Sequence, residues 1–530
     1  MGGELVERTR SRPLALAWPR VRGLQAALAA VVLAVTIAYG RALPSFYTSD
    51  DLDMLAGDAS DLFSPASGFG RFMPLAAVVH RAVAIGSGLD PLPAHALQLA
   101  LHLASTVLVY AIVWRLVDPA GGRQARLVAV TTATLFALYP RHHQVVMWFG
   151  AVSIGLASTL ALAATLVFLR AWRYGDSRAG WATVALYAAA LVSHESAVAL
   201  PALLVAVAAY EWSQGRQPCA RRAPAWLVAA VGVLVVHLGL LAWAYRVRAA
   251  IHPESGYRFV GLGPDLLGGP LRYAATGLVP PPWTEALAGG SVGLAVGGLA
   301  LLAGALCVWR GGALVRLGLA WGALAAAPFI LFGVYGVTDR YYYVPSVGLG
   351  LAVAAALVRW RRALAALLAA YALGSLVLLA QVGDEWRAAG NTTRAIVTDL
   401  AAWARSERVS QRAPEAVLFV GAPFKRGERW PGSQVYVFST GLVGAAHLAT
   451  GWRELEVSYV FQDEYPALTP RITELGPGRG PAGLYLFSLD SGTLVDLTDR
   501  VGSALAELAL LRWHGASRTP VDWSRYTAAP

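Results

Sequence analysis

Lysine is almost missing from this 530-residue chain: Lys425 is the only one, and the other basic residues are arginines. Two cysteines, Cys219 and Cys307, are too few for a disulfide framework or a four-ligand zinc site. Charged residues make up 14% of the chain, against about 25% in an ordinary soluble domain, which excludes a water-soluble body for most of its length. The last 147 residues show no internal repeat of 20–50 residues, and specifically no 34-residue helical repeat. What is present in excess is apolar: 56% of residues are hydrophobic and the mean hydropathy is +0.52.

Crossing the hydrocarbon layer takes about 20 mostly apolar residues in a helix. Runs at 23–40, 93–117, 125–139, 145–169, 180–193, 197–212, 224–245, 291–309, 313–334, 345–358 and 363–382 meet that description, predicting about eleven transmembrane helices. The first run has no convincing small-residue cleavage site and is expected to stay in place.

The net charge of +11 invites a nucleic-acid partner, but its distribution speaks against one. The segment before the first span and every second loop after it hold 19 of the 43 basic residues and five of the 32 acidic ones. Arginine retained on one side of a membrane is a topology signal. It puts the N-terminal tail, residues 1–22, in the cytoplasm of a bacterial inner or plasma membrane. Residues 23–383 then form the membrane domain and 384–530 an extracytoplasmic domain. Short β-branched or aromatic runs at 415–420, 434–438, 457–461 and 484–487, with helical patterns at 391–404 and 442–450, give that last part a small α/β character.

Ionisable residues at helix mouths are costly and point to function. Here they gather in the loops assigned to the outside. Asp50-Asp51 follows the first span, and Arg71 precedes Pro74-Leu75 and a short amphipathic stretch to Ile85. His95, Gln98 and His102 fall on one face of the second span; the two histidines are about 10 Å apart along the axis, too far to share one metal ion. The turns Tyr139-Pro140-Arg141-His142-His143 and Ser193-His194-Glu195-Ser196 follow, and later Asp339-Arg340-Tyr341-Tyr342-Tyr343 with Pro345-Ser346. Each has a plain alternative: solvated loop for the aspartates, helix packing for His95 and His102, an interfacial aromatic belt for Tyr341–Tyr343, and a structural ion pair for Asp339 with Arg340.

Taken in order, these elements resemble the polytopic glycosyltransferases of the GT-C class, in particular the tetratricopeptide-bearing O-mannosyltransferase family and its bacterial relatives. The likeness covers about residues 20–382. Gln98 stands where that family has Asn, His194 where it has Lys, and the α/β tail replaces its repeats. The resemblance implies a polyprenyl-phosphate-linked sugar as donor and an acceptor hydroxyl on a glycan, lipid or protein, with inversion at the anomeric carbon. It makes Asp50 or Asp51 the general base and Arg340 the first choice for gripping the donor phosphate. Arg71, His95, His102, His142, His143, His194, Glu195 and Tyr342 are the expected substrate contacts. The acidic pair is compatible with a divalent metal such as Mg or Mn, without a complete ligand set. Two other classes fit a many-span chain: a transporter or lipid flippase, and a non-catalytic scaffold of envelope assembly. The lack of mid-helix charges and of matching broken helices weighs against transport.

Overall fold

The structure is a computed structural model that describes residues 22–57, 72–117, 122–216, 225–251, 265–331, 338–405, 416–422, 425–426, 435–438, 441–461, 482–488 and 493–496. Its helices run α1 Arg22–Gly40, α2 Asp51–Ala56, α3 Pro74–Ser87, α4 Leu92–Val117, α5 Arg123–Ala137, α6 His143–Met147, α7 Val152–Tyr174 and α8 Ser177–Leu191. They continue with α9 Leu200–Ser213, α10 Ala225–Ile251, α11 Asp265–Leu278, α12 Thr284–Ala288, α13 Gly290–Arg310, α14 Ala313–Leu331, α15 Pro345–Leu357, α16 Arg361–Ala404 and α17 Leu442–Thr450.

Seven helical segments among the described residues are long and apolar enough to cross a membrane, and α1, α3 and α15 contribute shorter apolar ones. This marks an integral membrane protein. The expected count of eleven is not reached on length: α5 and α8 are 15 residues each, about 22 Å of helix. α10 and α13 keep long rows of exposed Val, Leu and Trp, among them Val228, Val235, Leu299, Leu302 and Trp309. In water such rows would be an aggregation surface; against lipid they are the ordinary outer face of a bundle.

The runs expected as a last span at 363–382 and a separate helix at 391–404 are one continuous helix, α16, of 44 residues. At 1.5 Å per residue it is about 66 Å long, roughly twice the hydrocarbon thickness. No proline or glycine–proline stop separates the apolar half from the polar half, so nothing in the backbone ends the helix at residue 383.

After α16 come β1 Ala416–Ala422, β2 Lys425–Arg426, β3 Val435–Tyr436, β4 Glu456–Phe461, β5 Ala482–Ser488 and β6 Thr493–Asp496. The sheet order is β4-β1-β5-β6, with β1 parallel to both neighbours and β6 antiparallel to β5, while β2 and β3 form a separate antiparallel pair. α17 coincides with the helical pattern read at 442–450.

Chain direction sorts the bundle's two ends. The C-terminus of α1 and the N-termini of α4, α7 and α15 meet at one end. The opposite end is tied by buried Glu211, which accepts from Arg173 at 2.6 and 2.7 Å and from Arg216 at 2.8 Å. Arg173 and Arg216 also donate to the Arg115 and Leu116 carbonyls at the end of α4. The core at the first end is shared between the membrane part and the tail. Val35, Tyr39, Leu52 and Leu55 lie in one apolar cluster with Trp148, Trp386, Val437, Leu442 and Ala446.

Candidate active site

The acidic turn begins where α1 has ended and the chain must reverse into α2. Ser49 makes that reversal in the left-handed region at φ +58°, and is the only non-glycine described residue to do so. α2 then opens with Asp51 and Asp53 in its first turn, where the helix dipole favours carboxylates. Asp51 is buried, 1% exposed, and both of its oxygens are engaged: Oδ2 accepts from Thr48 N–H at 3.0 Å and Oδ1 from Gly150 N–H. Burial pushes its carboxyl well above the ordinary range, and the neighbouring Asp50 charge adds to the rise, against the pull of the two N–H donors. Asp50 is 9% exposed, and a Cβ built on Gly150 would stand 2.8 Å from its Oδ1. The backbone at Gly150 therefore lies flat against both aspartates, an approach that a side chain would block.

Gly150 belongs to the short turn that joins α6 to α7. Gln98 of α4 holds this turn by donating to the carbonyls of Val145, at 2.9 Å, and Trp148. Trp148 stacks on Trp386 of α16 with ring centroids 6.4 Å apart, and meets Tyr436 of β3 at 6.0 Å. On the same indole lies Arg340, its guanidinium carbon 5.1 Å from the Trp148 ring and 5.0 Å from Tyr341. Tyr436 links the two charged parts. Burial raises its phenol first, the Arg340 charge lowers it, and Asp339 and Asp50 raise it again. Asp50 and Arg340, nearly three hundred positions apart in the sequence, thus both lie near Trp148: a Cβ on Gly150 would be 2.8 Å from Asp50 Oδ1 and 2.9 Å from the Trp148 ring, which also carries Arg340.

Asp339 is not the partner of Arg340 that their adjacency suggested. It is buried at 2% and pairs with Arg141 through Oδ1, while Oδ2 accepts from His143 Nε2 at 2.8 Å. Burial alone would raise this carboxyl; Arg141 and His143 outweigh that and hold it below its ordinary value. Arg141 further donates to the Val279 carbonyl at 2.6 Å and to Thr284 Oγ1 at 2.8 Å. Among the described residues, no carboxylate forms an ion pair with the Arg340 guanidinium.

Several of the expected substrate contacts have polar atoms engaged within the protein. His143 uses both ring nitrogens: Nδ1 accepts from Trp386 Nε1 at 3.0 Å, so Nε2 carries the hydrogen given to Asp339. His142 is fully buried against Ser346 Oγ at 3.0 Å, and burial followed by the His102 charge drives its imidazole well below the ordinary value. His102 bridges Tyr343 Oη, 2.8 Å, and the Ala137 carbonyl, 3.0 Å. His95 meets the Ser45 carbonyl at 3.0 Å and lies over Tyr47. Tyr342 is not in an interfacial belt: its ring stacks on Tyr273 at 4.4 Å and its hydroxyl donates to the Tyr273 carbonyl at 2.7 Å. These groups occupy the core because a polar residue inside an apolar bundle must spend its hydrogen bonds on neighbouring backbone.

His194 and Glu195 sit at the turn between α8 and α9. His194 Nδ1 accepts from Ser196 N–H at 3.1 Å, Glu195 lies 3.9 Å from His194 Nε2, and the Glu195 charge acts on His237 of α10. Arg71 lies outside the described residues. The contacts that sequence inspection missed are Asp53, Arg141, Trp148, Gly150, Trp386 and Tyr436. Arg141 was visible beside two histidines; nothing in the local pattern of Trp386 or Tyr436 distinguishes them from other aromatics.

The described residues supply no complete ligand set for a divalent metal at this turn. Asp51 has both oxygens on backbone N–H groups and Asp53 gives Oδ1 to the Gly444 N–H at 2.6 Å. Among the described residues, no group of three His, Cys, Asp or Glu side chains is arranged to hold an ion.

No protein-family model matches the chain, and no curated protein does. Among solved structures, it is similar to the archaeal oligosaccharyltransferase AglB from Archaeoglobus fulgidus in complex with an inhibitory peptide and a dolichol-phosphate. The identity is 13% and the TM-score 0.46, with 83% of this chain and 65% of that one covered. ArnT from Cupriavidus metallidurans in the apo state gives 18% identity and a TM-score of 0.39 over 88% of this chain and 93% of that one. The same protein bound to undecaprenyl phosphate gives 18% and 0.37 over 88% and 94%. The chain thus spans less than two thirds of the oligosaccharyltransferase, and the likeness identifies no family.

Proposed function

We propose that this protein is a membrane glycosyltransferase that moves a sugar from a polyprenyl-phosphate donor to an acceptor hydroxyl at the extracytoplasmic face. The observation that supports this most is that Asp50 and Arg340 both lie near Trp148, at the mouth of an apolar bundle. A lipid-tethered phosphodiester stays at the membrane surface and needs a cation there. Arg340, partly buried on an aromatic face and with no ion pair to a described carboxylate, has a guanidinium suited to phosphate oxygens.

The acceptor hydroxyl attacks the anomeric carbon, the bond from that carbon to the phosphate oxygen breaks, and polyprenyl phosphate leaves with the electron pair. The hydroxyl proton passes to a carboxylate. Asp51 is enclosed and its carboxyl is held toward the protonated form, so we assign the base to Asp50, with Asp51 fixing the turn. Attack opposite the leaving phosphate inverts the anomeric centre.

The test is sugar transfer in proteoliposomes containing a polyprenyl-phosphate sugar, with product detected by mass spectrometry. Asp50→Asn should lower kcat by about 10²- to 10⁴-fold, the usual contribution of a general base. Arg340→Ala should mainly raise the donor KM, by about tenfold or more for a charged hydrogen bond. Full activity of Asp50→Asn removes the base assignment, and an unchanged donor KM in Arg340→Ala removes the phosphate role.

A further inference from the structure

The tail is built onto the acidic turn rather than beside it. Ser49, the left-handed residue that turns the chain toward Asp50, donates its N–H to the Val437 carbonyl at 2.7 Å. α17 then lies directly on α2. A Cβ on Gly441 would come 1.6 Å from the Ser49 carbonyl oxygen, and one on Gly444 would come 2.4 Å from the Asp53 nitrogen and the Leu52 oxygen. Only backbone fits between the two segments. Around this contact Leu52, Leu442, Ala445 and Ala446 are fully buried in one cluster.

The chemistry of the contact is a helix cap supplied from far away in the chain. α17 begins with Gly441 at its N-cap, which has no side chain to accept from the exposed N–H groups of the first turn. The Gly444 N–H, third in the helix, is satisfied instead by Asp53 Oδ1 at 2.6 Å, across 391 positions of sequence. A carboxylate at a helix N-terminus is favoured twice, by the hydrogen bond and by the dipole. Asp53 is also on the same turn of α2 as Asp51, so whatever fixes Asp53 fixes the backbone that carries the acidic pair.

From this geometry we infer that Asp53 is a positioning residue, and that α17 with the segment 435–438 is the clamp that sets the catalytic turn through it. This rests on the reading of Asp50 as the base. The clamp requires an acceptor oxygen at position 53, not a negative charge.

Three variants test this in the full-length chain: Asp53→Asn keeps an acceptor oxygen, Asp53→Leu removes it, and Gly444→Ala forces α17 off the turn. kcat and donor KM are measured in proteoliposomes with a polyprenyl-phosphate sugar, and amide hydrogen exchange is followed over residues 48–57. Asp53→Leu and Gly444→Ala should lower kcat by about 10- to 100-fold with the donor KM within about twofold of the parent, because misplacement of a catalytic group by an ångström has that effect. Both should speed exchange across the turn, while Asp53→Asn should stay within about threefold of the parent in kcat. A parental kcat and parental exchange in Asp53→Leu would overturn the inference, as would a loss in Asp53→Asn equal to that in Asp53→Leu, which would mean that the charge itself acts. Should Asp50→Asn prove active, the base assignment fails while exchange in the two clamp-breaking variants still decides whether the tail holds the turn.

Discussion

Asp51 and Asp339 are two buried carboxylates within one site, and they are handled in opposite ways. Asp339 is compensated by Arg141 and His143, which hold its carboxyl below the ordinary value despite burial. Asp51 forms no ion pair with a described cation; its oxygens rest on two backbone N–H groups while burial and Asp50 push its carboxyl up. The first arrangement locks structure: it ties the α5–α6 turn to the segment before α15, and through Arg141 to the end of α11. The second leaves an acidic pair that cannot comfortably carry two charges. The cost of that second charge falls on Asp51, whose raised carboxyl leaves Asp50 as the carboxylate proposed to take the proton.

The largest effect separating the two should come from Asp339→Asn. The amide leaves the Arg141 guanidinium buried beside a weaker acceptor, and breaking one side of a buried pair costs about 3–5 kcal/mol. A fall in apparent melting temperature in detergent, larger than that of Asp51→Asn, is expected. Equal losses in the two variants would mean that the difference in compensation is not what distinguishes them.

How far the sequence discloses this site follows from the same contrast. Asp50-Asp51 and Arg340 stand out because charge is rare in an apolar chain and falls at helix mouths. The apolar runs likewise disclose most of the helices, and the period of 442–450 discloses α17. The partners do not stand out. Asp339 beside Arg340 reads as a neighbouring ion pair, yet the 3₁₀ turn Asp339–Tyr342 sends the two side chains to different places, Asp339 inward to Arg141 and Arg340 onto Trp148. His95, His102 and His142 read as ligands because imidazole is versatile, whereas burial makes them donors to nearby carbonyls and hydroxyls. Trp386 lies beyond the last expected span because the continuity of α16 carries it back under Trp148, and continuity is not a local signal. Gly444 and Asp53 are joined by tertiary docking that no spacing encodes.

A smaller effect probes the close backbone packing at the acidic pair. Gly150→Ala would put a methyl group 2.8 Å from Asp50 Oδ1 and 2.9 Å from the Trp148 ring, while Gly150 N–H still has to reach Asp51. Overpacking of this kind costs about 1–3 kcal/mol. The shift falls on the acidic pair, so transfer should drop by about tenfold or more, since small displacements of a catalytic group are magnified in rate. By contrast Gly40→Ala, at a site with nothing within 4 Å of the added carbon, should leave transfer unchanged. Parental activity in Gly150→Ala would show that the turn has slack, and would weaken the idea that backbone contact alone confines Asp51.

The smallest effect is the most discriminating, because the two carboxylates must act on stability with opposite sign. For Asp51 the native carboxyl lies above its unfolded value of 3.8, so between those limits the folded protein holds more protons than the unfolded one. Stability then falls as pH rises through that window, by at most about 1.4 kcal/mol per pH unit for one proton. For Asp339 the native value lies below 3.8, so its contribution is present above that pH and is lost as pH falls through the lowered value. Apparent melting temperature followed from acid to neutral pH should therefore lose its downward drift above pH 3.8 in Asp51→Asn and keep it in Asp339→Asn. The acid-side loss should shrink only in Asp339→Asn. If Asp51→Asn leaves the drift intact, Asp51 is not the strained carboxylate, and the ground for placing the base on Asp50 rather than Asp51 is lost.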